Sequence, residues 1–143
     1  MILADTTVWI DFFQAKPTPQ VNILEMIISE GHDICVCGLV LTEVLQGIRN
    51  DKQYHKTKTY FDNLLFISMN KTIYTHAADM YRYLRKRGIT VRKSIDCMIA
   101  SVAITNDIYL LHNDRDFIPF EKHCGLKTIK CKKYTMQKYN TDF

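Results

Sequence analysis

Short apolar segments alternate with longer amphipathic ones along this chain, and the alternation restricts the folds open to it. Five segments have the length and apolar character of buried strands, namely Ile2–Ala4, 33–37, 65–69, 108–111 and 126–129. Segments with helical periodicity separate them. Because strands that are apolar on both faces need cover on both sides, we expect an α/β fold. The predicted architecture has three layers, α/β/α, around a central, mainly parallel sheet of about five strands.

The intervening segments predict six helices in a chain of 143 residues, which suits one domain spanning 1–143. The predicted helices cover 8–14, 21–30, 39–48, a stretch ending near Asn63, 72–87, and a final helix from Ser94 to about Thr105. The segment 72–87 is the most clearly amphipathic, and Gly88 is expected to end it. Ser94 is expected to cap the helix that follows.

Carboxylates occur in unusual places in four separate segments. Asp5 follows the first strand, Glu43 lies within an apolar helix, Asp96 lies near the start of another, and Asp114 and Asp116 follow the fourth strand. A charge buried in such places costs free energy unless it is paired. Ligands of parallel sheets gather outside the carboxyl ends of the strands. We therefore expect these carboxylates to share one crevice.

Carboxylates gathered in one pocket need a counterion. Two of them about 4 Å apart repel by about 4 kcal/mol at an effective dielectric constant of 20. Mg²⁺ or Mn²⁺ is the cation that such oxygens favour. Two hydroxyls follow Asp5 directly, and either can orient a carboxylate or cap the helix. Thr7 is the one expected to support the pocket, ahead of Thr6.

The net charge is +4, from 19 Lys and Arg against 15 Asp and Glu, and the basic residues are clustered. One cluster comprises Arg82, Arg85, Lys86, Arg87, Arg92 and Lys93 with Tyr81 and Tyr83, and the other Lys127, Lys130, Lys132, Lys133 and Lys138 with Tyr134 and Tyr139. Basic residues interleaved with tyrosines suit a phosphate backbone and stacked bases. A solvated surface that keeps the protein soluble explains them equally well.

The chain lacks the marks of export or membrane insertion. No apolar run approaches the roughly 18 residues of a membrane span, and no basic region precedes the first apolar segment. The 5 cysteines are odd in number, which favours reduced thiols over a disulfide framework. We therefore expect a cytoplasmic protein that does not associate with membranes.

Four stretches that contain the carboxylates, 2–13, 42–47, 87–101 and 110–117, together resemble the PIN-domain family, and more narrowly the VapC-type ribonuclease toxins. The resemblance covers nearly the whole chain. It implies the same α/β/α fold and an endoribonuclease that depends on Mg²⁺ or Mn²⁺. Members are usually homodimers inhibited by a small antitoxin protein, and they commonly cut structured RNA such as tRNA.

The resemblance also implies roles for the residues. Asp5, Glu43 and Asp96 match the core acidic positions, and both Asp114 and Asp116 fall in the fourth matching stretch. All five are candidate catalytic residues, and Asp5, Asp96 and Asp114 are the expected metal ligands. Asp114 is preferred to Asp116 as a ligand because it is nearer the strand end. The implied reaction is hydrolysis of an RNA phosphodiester bond by a metal-activated water. The number of metal ions and the RNA target stay open.

Two other classes of function compete with this interpretation. A catalytically silent PIN-like module could bind RNA or protein without cutting, although every acidic position is filled. A response-regulator-like signalling domain also places acids at the edge of a parallel sheet. The sequence argues against that class, because Asp5 is followed by two threonines and no aspartate directly follows the third predicted strand.

Overall fold

A parallel sheet of four strands lies at the centre of the part of the chain that this computed structural model describes, residues 1–131. The strands are β1 (Ile2–Ala4), β2 (Ile34–Cys37), β3 (Leu65–Ile67) and β4 (Tyr109–Leu111). Their order is β3-β2-β1-β4, and every pairing is parallel. All four carboxyl ends therefore lie at the same edge of the sheet.

The fifth predicted strand, at 126–129, is reduced to a single bridge. Thr128 pairs in parallel with Leu110. The Leu110 N–H donates to the Lys127 carbonyl at 2.9 Å, and the Leu110 carbonyl accepts from the Ile129 N–H at 3.1 Å. Of the four residues in this segment only Leu126 is buried. The segment therefore buries too little apolar surface to stabilise a longer pairing. It extends the sheet without becoming a regular strand.

Helices flank the sheet, which confirms the predicted α/β class. They are α1 (Thr6–Phe13), α2 (Pro19–Ser29), α3 (Gly38–Gln46), α4 (Asp51–Asp62), α5 (Lys71–Lys86), α6 (Ser94–Thr105) and α7 (Ile118–His123), with a 3₁₀ turn at Arg115–Phe117. Among the described residues no helix combines the length and apolar character needed to cross a bilayer.

Helix α5 has the amphipathic character that the sequence predicts. Ile73, Ala77 and Met80 are buried along one side. The helix ends before Gly88, whose φ of +76° is a left-handed conformation that glycine adopts without steric cost. The end of α5 is therefore sharply defined, and an exposed basic segment follows it.

Helix α6 is buried on nearly all sides, packed between α5 and the sheet. Its Ser101 hydroxyl donates to the Ile73 carbonyl at 2.7 Å and lies 2.9 Å from the His76 ring, which ties α6 to α5. The predicted cap at Ser94 is wrong, because Lys93 is the N-cap residue and Ser94 is the first residue in the helix. Asp96 thus enters the interior on a well-anchored helix.

We expect Leu3→Ala to lower the free energy of unfolding by about 3–5 kcal/mol, because Leu3 is fully buried in a strand paired on both sides. The matched control is Leu65→Ala on the edge strand β3, where the side chain is 47% exposed. Urea denaturation should show a loss of at most about 1 kcal/mol there. Equal losses in the two variants would contradict the assignment of β1 to the core.

Candidate metal centre

Asp5 lies where β1 ends and α1 begins. Its N–H donates to the Leu111 carbonyl at 2.9 Å, and its own carbonyl accepts from the Val8 and Trp9 N–H groups at 3.1 and 3.2 Å. The side chain is 5% exposed and does not cap the helix. The main chain therefore fixes Asp5 between two strands and a helix, and its carboxylate accepts hydrogen bonds from the Thr6 N–H and the Thr7 hydroxyl.

Glu43 and Asp5 are each held by one of the two consecutive threonines. The Thr6 hydroxyl donates to Oε1 of Glu43 at 2.7 Å, and the Thr7 hydroxyl donates to Oδ2 of Asp5 at 3.3 Å. Thr6 is half-buried, whereas Thr7 is exposed. The shorter contact therefore belongs to Thr6, although Thr7 was the threonine expected to support the pocket. Sequence alone does not show which hydroxyl faces α3.

Asp96 is a buried carboxylate with an unsatisfied oxygen. It lies in the first turn of α6, is 5% exposed, and its Oδ2 has no hydrogen-bond partner within residues 1–131. A buried polar atom left without a partner costs about 1–3 kcal/mol, and more when the group is charged. A water molecule or an ion commonly completes the coordination of such an atom.

Asp114 and Asp116 converge on Asp96. One carboxylate oxygen from each of the three lies within 4.8 Å of the others. The 3₁₀ turn that follows β4 holds this arrangement, because the Asp116 N–H donates to Oδ1 of Asp114 at 2.8 Å. These three carboxylates are hereafter called the acidic triplet. Asp96 lies at least eighteen residues before the other two in the sequence.

His112 contacts this turn through a hydrogen bond and a ring contact. Its Nδ1 accepts the N–H of Asp114 at 3.1 Å, and its ring packs against Phe117 at 5.0 Å between centroids. Burial lowers the pKa of His112, which favours the neutral ring that can accept this bond. His112 therefore packs at the end of β4 and holds the turn through its ring nitrogen.

The electrostatics of the site join all five carboxylates. Burial, together with the charges of Asp96 and Glu43, raises the pKa of Asp5 to about 6, although hydrogen bonds from the Thr6 N–H and the Thr7 hydroxyl oppose the shift. Burial, together with the charges of Asp114, Asp116 and Glu43, raises the pKa of Asp96 to about 6, and Lys93 opposes that shift. The fold therefore brings together every acidic residue that the sequence selected.

The donor set suits a hard divalent cation. Every candidate ligand atom is a carboxylate oxygen, as Mg²⁺ and Mn²⁺ prefer, and the unsatisfied Oδ2 of Asp96 lies among them. The acidic triplet contains Asp114, which was expected as a ligand, and also Asp116, which was expected only as a candidate catalytic residue. Asp5, also expected as a ligand, is not a member of that triplet but interacts electrostatically with Asp96.

Basic residues lie beside the acids on the segment between α5 and α6. Nη1 of Arg92 is 3.7 Å from Oδ1 of Asp116, and Lys93 acts on Asp96. Arg87 instead stacks on Tyr83, with its guanidinium carbon 3.6 Å from the ring centroid. The first basic cluster of the sequence therefore reaches the edge of the crevice.

The second basic cluster is only partly described. Lys127 pairs with Asp107 at 2.6 Å, and Lys130 pairs with Glu121. Lys132, Lys133, Lys138, Tyr134 and Tyr139 lie outside the described residues. The described part of this cluster is thus engaged in ion pairs on the chain itself.

Comparison with known proteins finds matches over most of the chain. The family model that matches is the PIN domain, over residues 2–122. The VapC ribonuclease Mb1587 of Mycobacterium bovis is 31% identical over 119 residues, which are 82% of this chain and 89% of that protein. Ribonuclease VapC19 of Mycobacterium tuberculosis is 29% identical over 78% of this chain and 86% of its own length.

Solved structures share the fold at lower identity. VapBC2 from Rickettsia felis, bound to a DNA fragment from its promoter, aligns with a TM-score of 0.72 at 21% identity, covering 90% of this chain and 98% of that one. FitAcB from Neisseria gonorrhoeae aligns with a TM-score of 0.69 at 17% identity, covering 91% and 97%. The architecture described above is therefore common to these proteins.

We expect Asp5→Asn to stabilise the metal-free protein at pH 7.5. The folded state raises the pKa of Asp5 from 3.8 to about 6, so it binds the proton more tightly than the unfolded chain does. The stability that this carboxyl contributes is complete below about pH 4 and is lost as the pH rises through about 6. The variant should therefore gain about 1–3 kcal/mol at pH 7.5 and almost nothing near pH 4.

Urea denaturation in EDTA at the two pH values measures this gain. Asp79→Asn, an exposed position on α5, is the control and should change the free energy of unfolding by less than about 0.5 kcal/mol. A clear loss of stability for Asp5→Asn at pH 7.5 would mean that the carboxylate supports the fold rather than straining it.

Proposed function

This chain belongs to the PIN-domain family, and from that premise we propose that it is a divalent-metal-dependent endoribonuclease, the toxin of a toxin–antitoxin pair. The observation that carries the proposal is the meeting of five carboxylates from four distant segments, with a buried and unsatisfied oxygen among them. A bound cation would complete the coordination of that oxygen, which has no hydrogen-bond partner within residues 1–131.

We assign the cation to the carboxylates by their burial and proximity. Asp5, Asp96 and Asp114 would hold it, and Asp116, whose oxygen lies within 4.8 Å of those of Asp96 and Asp114, is a fourth candidate ligand. Mg²⁺ or Mn²⁺ fits this oxygen-only set. When bound, the cation would lower the pKa of an attacking water and offset charge on the scissile phosphate.

The chain's own residues position the reactants. The Thr6 hydroxyl holds Oε1 of Glu43, which leaves Oε2 to accept a hydrogen bond from the attacking water and to orient it. Asp5 and Asp96 act from a buried edge of the crevice, where electrostatic interactions are stronger than in bulk water. The basic segment between α5 and α6 would hold the RNA backbone beside them.

RNA is the proposed substrate because the mycobacterial relatives carry the name ribonuclease and because basic residues adjoin the acids. Structured RNA such as tRNA is the first candidate. The proposed partner is a small antitoxin protein, since the toxin–antitoxin complex from Klebsiella pneumoniae and the VapBC complexes have this fold. A homodimer and a single domain over 1–143 complete the proposal.

The decisive experiment is a cleavage assay on total tRNA and ribosomal RNA with Mg²⁺, with Mn²⁺ and with EDTA. Discrete fragments should appear only with metal, and Asp96→Asn should reduce their rate roughly 100-fold or more because it removes a buried cation ligand. Far-ultraviolet circular dichroism of the variant checks that it is folded. Mapping the fragment ends identifies the bond that is cut.

Other outcomes of this assay would contradict the proposal. Cleavage that persists in EDTA would exclude the metal-dependent mechanism, and cleavage by Asp96→Asn at the parent rate would overturn the assignment of Asp96 as a ligand. A well-folded, antitoxin-free protein that retains RNA without cutting it would be a PIN-like binding module instead. The EDTA lane and the variant thus test the mechanism separately from RNA recognition.

Thr6→Val is expected to slow cleavage about tenfold or more, because Glu43 loses the hydroxyl that orients it. Thr7→Val is the matched control and should cost at most about threefold, since its hydrogen bond to Asp5 is longer, at 3.3 Å, and Thr7 itself is exposed. Single-turnover rates at saturating metal compare the two variants. A greater loss for Thr7→Val would return the supporting role to Thr7.

A further inference from the structure

Arg92 lies against the acidic triplet without being fixed there, and this suggests a second role for it. We propose that Arg92 and a divalent cation compete for Asp116, so that cation binding releases the Arg92 guanidinium to a phosphate of the RNA. This inference rests on the proposed function and deepens it. It makes Arg92 a substrate-positioning residue whose availability depends on the metal.

The contact between Arg92 and Asp116 is loose. Nη1 of Arg92 is 3.7 Å from Oδ1 of Asp116, which is too long for a hydrogen bond. The Arg92 side chain is 76% exposed, whereas that of Asp116 is 20% exposed. An exposed ion pair of this kind contributes little stability, so the guanidinium can leave at small cost.

Within the acidic triplet, Asp116 is the carboxylate that both a cation and Arg92 would contact. Its oxygen lies within 4.8 Å of those of Asp96 and Asp114, which are the other atoms suited to a divalent ion. A guanidinium and a divalent cation on the same carboxylate would repel each other. Occupation of the acidic triplet by a cation therefore weakens the hold of Asp116 on Arg92.

Arg92 differs from Arg85 and Arg87, two arginines of the same basic cluster. Arg87 stacks on Tyr83 at 3.6 Å, and Arg85 lies 5.7 Å from the ring centroid of Tyr81, so aromatic partners on α5 already hold both side chains. Arg92 lies beyond Gly88, on the segment that leads to Asp96. Its planar fork matches two phosphate oxygens, and its position places such a phosphate beside the acidic triplet.

The exchange couples metal and RNA binding. If the cation frees a group that then binds RNA, each ligand must raise the affinity of the protein for the other. Removing Arg92 should therefore have opposite effects on the two ligands. Mn²⁺ should bind more tightly because a competing charge is gone, and RNA should gain less from the presence of Mn²⁺.

The first arm of the test uses Mn²⁺ alone, without RNA. Titration followed by the electron paramagnetic resonance of free Mn²⁺ compares the parent chain, Arg92→Gln and Arg87→Gln. We expect Arg92→Gln to bind Mn²⁺ roughly three- to fivefold more tightly, while Arg87→Gln, with the same loss of charge, stays close to the parent. Equal affinities for the two variants would overturn the competition.

The second arm measures RNA affinity by fluorescence anisotropy of a labelled RNA. It uses a Glu43→Gln background, which removes the carboxylate proposed to orient the attacking water and keeps the proposed metal ligands intact. We expect the gain in RNA affinity on adding Mn²⁺ to be about tenfold smaller when Arg92→Gln is added, whereas Arg87→Gln leaves the gain intact. Arg92→Lys keeps the charge but not the fork, and should recover only part of the gain.

The two arms separate the failure of this inference from that of the proposed function. An unchanged metal-dependent gain in Arg92→Gln, in a protein that binds RNA, would overturn the role of Arg92 while leaving the nuclease intact. A parent chain that binds no RNA would overturn both the proposed function and the phosphate contact. The Mn²⁺ titration would still decide whether Arg92 competes for Asp116.

Discussion

The parallel pairing of β1 with β2 on one side and β4 on the other is the constraint on which the rest of the structure depends. β1 is fully buried, and its three residues pair along their length with β4. The Asp5 N–H continues this ladder by one bond, to the Leu111 carbonyl. The carboxylates that follow β1 and β4 are therefore held at neighbouring strand ends, where α3 and α6 add Glu43 and Asp96.

This arrangement sets stability against function. Burial and mutual repulsion raise the pKa of Asp5 and Asp96 to about 6, so their ionised forms burden the fold. The surrounding apolar core offsets that burden, since the strand that carries Asp5 and the helix that carries Asp96 are both deeply buried. Strain of this kind is typical of sites that bind a charged ligand.

Much of the fold and the choice of acidic residues could be predicted, because both leave local traces in the sequence. Apolar runs indicate the strands, and a carboxylate in an apolar setting such as that of Glu43 is unusual enough to stand out. The choice between Thr6 and Thr7 could not be predicted, because it depends on the rotation of α1 relative to α3. The reduction of the fifth strand to one bridge depends on burial, which the residues of 126–129 do not reveal.

The membership of the acidic triplet was likewise beyond the sequence. Asp114 and Asp116 lie on a 3₁₀ turn, where the two side chains can approach the same neighbour, and an Asp116 N–H bonded to Asp114 brings them together. From the sequence both are candidate catalytic residues, with Asp114 ahead as a ligand because it is nearer the strand end. Asp5 stays one of the proposed ligands. Its distance from the acidic triplet depends on how the strands and helices pack, which the local sequence pattern does not show.

The short junctions between strands and helices at the carboxyl ends of the strands limit where residues can be inserted or deleted. One residue separates β1 from α1, and α3 begins directly after β2. An insertion there would turn the helix by about 100° per residue and carry Thr6 away from Glu43. The opposite edge is more permissive, since the exposed residues 30–33 connect α2 to β2. Insertions and deletions among relatives should therefore accumulate at that edge and spare the first seven residues.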